Sequence, residues 1–284
     1  TASPDSGPRR RRPTLRPAEV LEFVPGVIVT QHSGDGKANQ YFLRGFNLDH
    51  GTDFATWVDG MPVNMVTHAH GQGYSDLNWL LPELVDRIAY RKGPYSAEEG
   101  DFSSAGAAHI RLFDRLPANV AEATFGQNGY RRALVAGNAG VASGNFIYGV
   151  EGATNDGPWR NPERFRRTNT LLRYSQGDAA DRYSITAMAY SARWNATDQI
   201  PQRAADAGAI DRFDAIDPTD GGSTSRYSLS WEMQQHASDG GEWRANAYAV
   251  RSQLALYSDF TYFLDNPVRG DQFSQAAEPI YRAI

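Results

Sequence analysis

The chain has no cysteine among its 284 residues. That excludes disulfide frameworks, thiolate zinc sites and cysteine nucleophiles, and leaves the compartment open. No apolar run approaches the ~18 residues of a membrane-spanning helix. Stretches such as Val27–Val29 and Trp79–Leu81 are strand-sized. A helical membrane protein is therefore excluded, but a membrane β-barrel, whose signal is weak alternation, is not. Lysine occurs only at Lys37 and Lys92. The net charge of −5 disfavours a general nucleic-acid binder, which would be basic. Enzyme signatures are also missing. Gly34-Asp-Gly-Lys37 lacks the earlier glycine and the following Ser/Thr of a phosphate loop. Gly-x-Ser-x-Gly and His-Glu-x-x-His do not occur, and Glu98-Glu99 diverge in extended chain. The expectation is a non-enzyme without a cofactor.

What is present is glycine, aromatics and alternation. The 14 Tyr, 13 Phe and 6 Trp are too many for a disordered chain. Residues 1–17 read as a disordered tail with a basic cluster at Arg9–Arg12, opening without methionine or an apolar signal core. A secretion leader removed or never included fits that opening. Residues 18–117 mix short elements. Ala18–Val24 has a brief helical pattern stopped by Pro25-Gly26, and Val27–Thr30 and Tyr41–Arg44 read as strands. His32–Asn39 is a polar loop. Asp59-Gly60 predicts a primed turn between strands Thr56–Val58 and Met61–Val63. Val85–Arg91 alternates, Gly93–Gly106 is a loop, and Ala107–Phe113 is a strand.

Residues 118–284 are almost all β by pattern. Candidate strands fall at 120–126, 130–139, 145–154, 168–176, 182–193, 225–236 and 242–256. In the clearest, Tyr227, Leu229, Trp231 and Met233 alternate with Arg226, Ser228, Ser230, Glu232 and Gln234. A bilayer-spanning strand needs about 9–11 residues, and all but the seven-residue first of these are long enough. Short turns near 140–144, 177–181 and 237–241 alternate with longer connections at 155–167 and 194–224, the outer-membrane barrel layout; Gln127–Gly129 is a short exception. The polar faces are expected to line a watery lumen.

Four motifs then stand in order: Val24-Pro-Gly-Val-Ile-Val29, Phe42-Leu-Arg-Gly45, Trp57-Val-Asp-Gly-Met-Pro62, and Pro82-Glu-Leu-Val-Asp-Arg-Ile-Ala-Tyr-Arg-Lys-Gly-Pro-Tyr-Ser96, followed by Gly100 and Gly106. Their order and spacing resemble the plug domain of TonB-dependent outer-membrane receptors. The resemblance implies an α+β plug domain, a small mixed sheet with short helices, followed by antiparallel transmembrane β-barrel strands. The family's barrel has 22 strands; about seven or eight are expected here, an incomplete barrel whose open edge the bilayer does not tolerate. This fragment alone is expected not to form a sealed transporter.

The resemblance implies a cell outer membrane location in a Gram-negative bacterium and import of a scarce nutrient to the periplasm. It also implies partners: the TonB energy-transducing complex on the periplasmic side, a small-molecule or metal-chelate ligand, and outer membrane lipid, with a monomeric state and no nucleic acid. A passive porin or a soluble β-rich binding module is the alternative. The partner-binding box is not evident in Thr1–Pro17.

Plug-motif residues by this match are Pro25, Gly26, Arg44, Gly45, Asp59, Gly60, Arg91, Gly93, Pro94, Ser96, Gly100 and Gly106. Arg44 and Arg91 are candidates to pair with Glu98 or Glu99, or with the barrel wall. Ligand recognition is expected at apical loops 47–53 and 64–74, because loops on a rigid frame carry binding. The candidates are His50, Asp53, His68, His70, Gln72 and Tyr74. In extended chain His68 and His70 point the same way, a two-imidazole metal clip with Asp76 or His50 as third ligand. Hydrogen bonding to an organic or chelated ligand, and plain loop structure, are the other readings of the same residues.

Overall fold

The computed structural model describes residues 14–31, 34–178 and 180–283. Most of the expected 1–17 tail lies outside these residues; Pro17, at its end, opens a 3-10 turn, Pro17–Phe23, that buries Ala18, Val20 and Leu21. The helical pattern over Ala18–Val24 is thus realised in the tighter form.

The first sheet is β1 (Val27–Thr30), β2 (Gln40–Leu43) and β3 (Phe46–Asn47), antiparallel in that order. Strand β2 stops at Leu43, one residue before the expected Arg44. Arg44 has φ 53° and with Gly45 turns the chain into β3. A second, mixed sheet has the order β5 (Met61–Pro62), β4 (Phe54–Val58), β7 (Gly106–Leu112), β6 (Val85–Lys92). Strands β4 and β7 are parallel and the other pairs antiparallel. Asp59 (φ 46°) and Gly60 (φ 75°) both take positive φ, which the primed turn predicted between β4 and β5 requires. The buried side of this small unit carries Leu21, Phe54, Leu77, Leu80, Leu84 and Ile88, all 2% exposed or less.

Seven long strands follow as one antiparallel meander: β8 (Val120–Phe125), β9 (Arg131–Val141), β10 (Gly144–Asn155), β11 (Phe165–Gly177), β12 (Arg182–Asn195), β13 (Gly221–His236) and β14 (Glu242–Ser258). Two short strands, β15 (Phe273–Ala277) and β16 (Ile280–Ala283), both pair with β14 and complete a nine-stranded sheet. A five-residue helix, Gln202–Asp206, sits in the 196–220 connection. Among the described residues β8 pairs only with β9, so the wall is open.

The wall's two faces meet different surroundings. Val135, Val150, Tyr227 and Leu229 on one face are each more than half exposed, while Arg226, Ser228 and Ser230 on the other are buried. Near the short turns the polar face lines a polar cavity with Asn145, Gln176 and Glu232, but at Arg226, Ser228 and Ser230 it is covered rather than lining a watery lumen as expected. It packs on the small mixed sheet and the loops around it. Arg226 lies 3.9 Å from the Trp79 ring centroid, and Leu81 and Leu84 reach the position a side chain at Gly149 would fill.

Candidate functional site

Two seams join the plug-like unit to the wall. At the short-turn end the seam is ionic. The β4–β5 turn presents the buried Asp59 to Arg173 of β11, whose Nη1 donates to Asp59 Oδ2 at 2.7 Å. Arg173 Nη2 donates to Asp114 Oδ1 at 2.7 Å, and Arg111 Nη1 donates to Glu232 Oε1 of β13 at 2.6 Å. Asn246 of β14 donates to the Gly60 carbonyl at 2.8 Å. Burial pushes the Asp59 carboxyl up, against the pull of Arg173 and Arg111 in the opposite direction. Asp59 and Gly60 therefore do more than turn the chain.

The expected ion pairs fall partly elsewhere. Arg91 pairs with Glu98 (3.5 Å) and Glu99 (3.4 Å) and also donates to Ser96, all inside the plug-like unit. Arg44 makes no ion pair with the wall or with Glu98 or Glu99 among the described residues; it stands exposed at the β2–β3 turn. The ion pairs with the wall come from Asp59, Arg111 and Glu83 instead, the last with Arg132 at 3.0 Å. The motif glycines Gly26, Gly45, Gly60, Gly93 and Gly100 have φ between 66° and 90°, and a side chain at Gly106 would meet the Arg91 carbonyl. Pro94 is exposed in the turn after β6.

At the long-loop end the seam is aromatic and neutral. His68 and His70 do not lie in extended chain. They sit in a tight turn, closed by the Gly71 amide on the His68 carbonyl. The His70 amide donates to His68 Nδ1 at 3.2 Å, so neutral His68 carries its proton on Nε2. His68 stacks on Tyr74 (4.0 Å between centroids, 7° between planes), and His70 meets His50 edge-on at 4.6 Å. His50 Nδ1 faces the Ala38 and Asn39 carbonyls at 3.0 Å, so that nitrogen carries the proton. His70 Nδ1 is 2.8 Å from Gln275 Oε1 of β15, and Tyr281 of β16 donates to the Thr67 carbonyl at 2.7 Å. The loop is thereby tied to the wall.

Of the expected ligand residues, the structure brings together His50, His68, His70 and Tyr74. Gln72 faces solvent, and Asp53 accepts from Ser104 away from the imidazoles. Asp76 is turned to the Asn78 amide at 2.8 Å. Among the described residues no three His, Asp or Glu side chains converge as a metal ion would need.

Sequence reasoning missed Asn64. Its Nδ2 donates to the Gly51, Gly73 and Phe54 carbonyls and its Oδ1 accepts from the Thr56 amide, which staples the two apical loops together. It missed Lys37 as well, 1% exposed and near enough to His50 and His70 to disfavour their protonation. Neither residue leaves a periodic signal.

Burial, then His70, then Lys37 push His50 down to about 4; burial and His70 push His68 down to about 4. Burial also lowers His70. The three rings are neutral at pH 7. An unfolded chain takes up these protons near pH 6.5; in the folded one His50 and His68 take theirs up only near pH 4. Stability is therefore complete above pH 6.5 and falls as pH drops towards 4. The expected loss at pH 4 is on the order of 2–3 kcal/mol for each of His50 and His68. Amide exchange over residues 64–74 should accelerate between pH 6.5 and 4.5, once corrected for intrinsic rates. In His68→Gln that acceleration should shrink; an unchanged pH dependence would remove the linkage.

Residues 9–107 match the family model of the TonB-dependent Receptor Plug Domain. Most of the chain is similar in fold to solved structures of the copper transporter OprC (18% identity, 92% of this chain and 38% of that one, TM-score 0.65) and of the ferric citrate transporter FecA (17%, 84% and 37%, TM-score 0.67). It is also similar to the pyoverdine outer membrane receptor FpvA from Pseudomonas aeruginosa PAO1 (13%, 92% and 39%, TM-score 0.64). The chain thus spans less than two-fifths of the length of each of these. Residues 9–107, which build the small mixed sheet, thus match the TonB-dependent receptor plug domain, and the open antiparallel wall that follows shares the fold of these solved structures.

Proposed function

We propose that the full-length protein is an outer-membrane receptor that captures a scarce nutrient at the long-loop end of its plug and imports it into the periplasm. The supporting observation is the separate small mixed sheet packed on the polar face of the strand wall. A passive pore has no use for such a stopper. Ligand settles against His50, His68, His70 and Tyr74 beneath the long loops. An inner-membrane TonB complex pulls the plug from the short-turn side, and the ionic seam there yields. No bond in the ligand is broken.

The ligand belongs among ferric chelates, metal complexes, vitamins and oligosaccharides. Neutral imidazoles stacked on a phenol favour hydrogen bonding and stacking on an organic ligand over capture of a bare ion, since no three-ligand set converges on them.

The test is growth of a strain lacking the gene across limiting iron, copper, zinc and carbohydrate sources, with and without the inner-membrane complex. Growth on one source should require both. Import by the receptor without that complex would refute the energised step. On the source so identified, His68→Ala plus His70→Ala should weaken binding at least ~10-fold at unchanged receptor level, the loss of one or two buried hydrogen bonds. Unchanged affinity would remove the ligand role of the two rings.

A further inference from the structure

A cavity of about 260 Å³ lies beside the histidine loop, in the seam between the plug-like unit and the wall. Trp57 of β4, Met65 and Phe102 line it from the first, and Arg226 of β13 with Tyr248 and Val250 of β14 from the second. Tyr281 of β16 lines it as well, and its hydroxyl is the one that donates to the Thr67 carbonyl. An apolar cavity of about 150 Å³ takes up benzene, and pockets for whole drug-sized ligands start near ~300 Å³. This one therefore has room for a single substituted ring and not for a complete chelate.

Its lining holds donors with few acceptors. Arg226 is 4% exposed, and its guanidinium stacks over the Trp79 ring at 3.9 Å from the centroid. A guanidinium has five N–H donors. Among the described residues those of Arg226 meet Ser228 Oγ at 3.1 Å and Met61 Sδ at 3.6 Å, both neutral. No carboxylate there is in ion-pair contact with it, and Asp76 acts on it only from farther away. By contrast, inward Arg132, Arg167 and Arg173 are each paired with a carboxylate. Trp57 adds an indole N–H that is buried without an acceptor. Phe102 has φ 62°, a left-handed conformation that bulky side chains rarely take, and such strain gathers at ligand clamps. Three carboxylates also line the cavity, but they are placed otherwise. Glu99 is held by His109 Nε2 at 2.6 Å and by Arg91 at 3.4 Å. Glu98 pairs with Arg91 at 3.5 Å and is exposed, as is Asp101, so these two mark the rim.

We propose that this cavity binds a small aromatic carboxylate, with Arg226 and Trp57 donating to the carboxylate and Phe102, Tyr248 and Tyr281 enclosing the ring. The volume admits one ring. The buried guanidinium calls for an anion, and a planar carboxylate matches its fork of donors. An inorganic anion would satisfy those donors but leave the aromatic walls uncovered. A neutral ring would cover the walls and leave the guanidinium without a counter-charge. Trp57 and Phe102 belong to the plug-like unit, Arg226 and Tyr248 to the wall, so the bound acid bridges the seam and holds the two together. The site goes beyond capture at the histidine loop and does not depend on which cargo is imported.

The experiment titrates the full-length receptor, in a non-ionic detergent, with benzoate, benzamide or acetate, and reads binding by ligand-observed NMR. Benzoate should bind at least ~10-fold more tightly than benzamide, which has the ring without the charge, and than acetate, which has the charge without the ring. Saturating benzoate should also raise the thermal midpoint, since it binds the joined state. Arg226→Gln should bind benzoate and benzamide alike. Should that variant fail to fold, Val250→Phe decides, because it fills the cavity from β14 and should abolish benzoate binding at unchanged heat-resistant mobility on gels. Trp57→Phe, which keeps a ring and removes the N–H, should weaken benzoate by about 5-fold, one hydrogen bond. Glu98→Gln with Asp101→Asn should tighten it, and weaker binding there would place a cationic group, not the carboxylate, as the recognised feature and overturn the proposal. Equal binding of benzoate and benzamide by the wild type, or unchanged benzoate affinity in folded Val250→Phe, would overturn it too. A receptor that imports nothing yet binds benzoate through Arg226 defeats the proposed function alone; one that imports and ignores benzoate defeats this inference alone.

Discussion

Replacing Glu151 by Gln should destabilise the receptor by about 3–5 kcal/mol, the scale of breaking a buried ion pair. Glu151 is 1% exposed and sits on β10 between two arginines of neighbouring strands. Arg132 Nε donates to one of its oxygens at 2.6 Å and Arg167 Nε to the other at 2.8 Å. Asn169, which also donates to the Asn78 carbonyl of the plug, reaches Glu151 at 3.2 Å.

The two arginines do not suffer equally when the charge is removed. Arg132 keeps Glu83 (3.0 Å) and Glu122 (3.3 Å). Arg167 is 6% exposed and Glu151 is its ion-pair partner, so the variant leaves it a buried cation with no carboxylate in ion-pair contact among the described residues, Asp76 acting on it only from farther away. The second half of the expectation follows from that asymmetry. Glu151→Leu combined with Arg167→Leu should recover most of the loss, because removing both charges also removes the desolvation they required. Thermal or urea unfolding of the full-length receptor in detergent reads both. A Glu151→Gln loss below about 0.5 kcal/mol, the size of an ordinary surface change, would show that water reaches this cluster.

What could be read from residue order divides along physical lines. The seven long strands were legible because each separates two surroundings, and alternation at period two records that directly. Tyr227 and Leu229 face outward while Arg226 and Ser228 are buried. The Asp59-Gly60 turn was legible because its backbone geometry is local. The inner surroundings were misjudged around Arg226, Ser228 and Ser230. They read as lining water because a sequence shows polarity but not what covers it, and here the cover is the plug.

Strands β15 and β16 were invisible for another reason. They are short and interrupted at Pro279, so neither shows enough alternation to register. The second task of Asp59 was also hidden, since Arg173 lies 114 positions away. His68 and His70 were singled out by spacing, yet the spacing argument assumed extended chain. A turn brings them together instead, and His50 joins them through loop folding.

The chain's lack of cysteine allows one direct test of plug movement. A Cβ built at Gly60 lies 3.8 Å from the Asn246 Cβ, about the mean separation found across disulfides. Gly60→Cys with Asn246→Cys, in a full-length receptor otherwise free of cysteine, should therefore form one bond joining the β4–β5 turn to β14. Cys at φ 75° costs roughly 1–2 kcal/mol, which the covalent link can offset; Gly60→Cys alone controls for that strain. If import requires the ionic seam of Asp59, Arg111, Arg173 and Glu232 to open, the oxidised double variant should bind ligand normally and import at background level. A reductant should restore import. Both single variants should transport under either condition. The test is sharp because the link leaves the histidine cluster at the opposite end untouched, so a loss of import with retained binding separates movement from recognition. Full transport with the disulfide confirmed by intact mass would mean that the turn stays seated on β14 throughout the cycle, and that any path opens elsewhere around the plug.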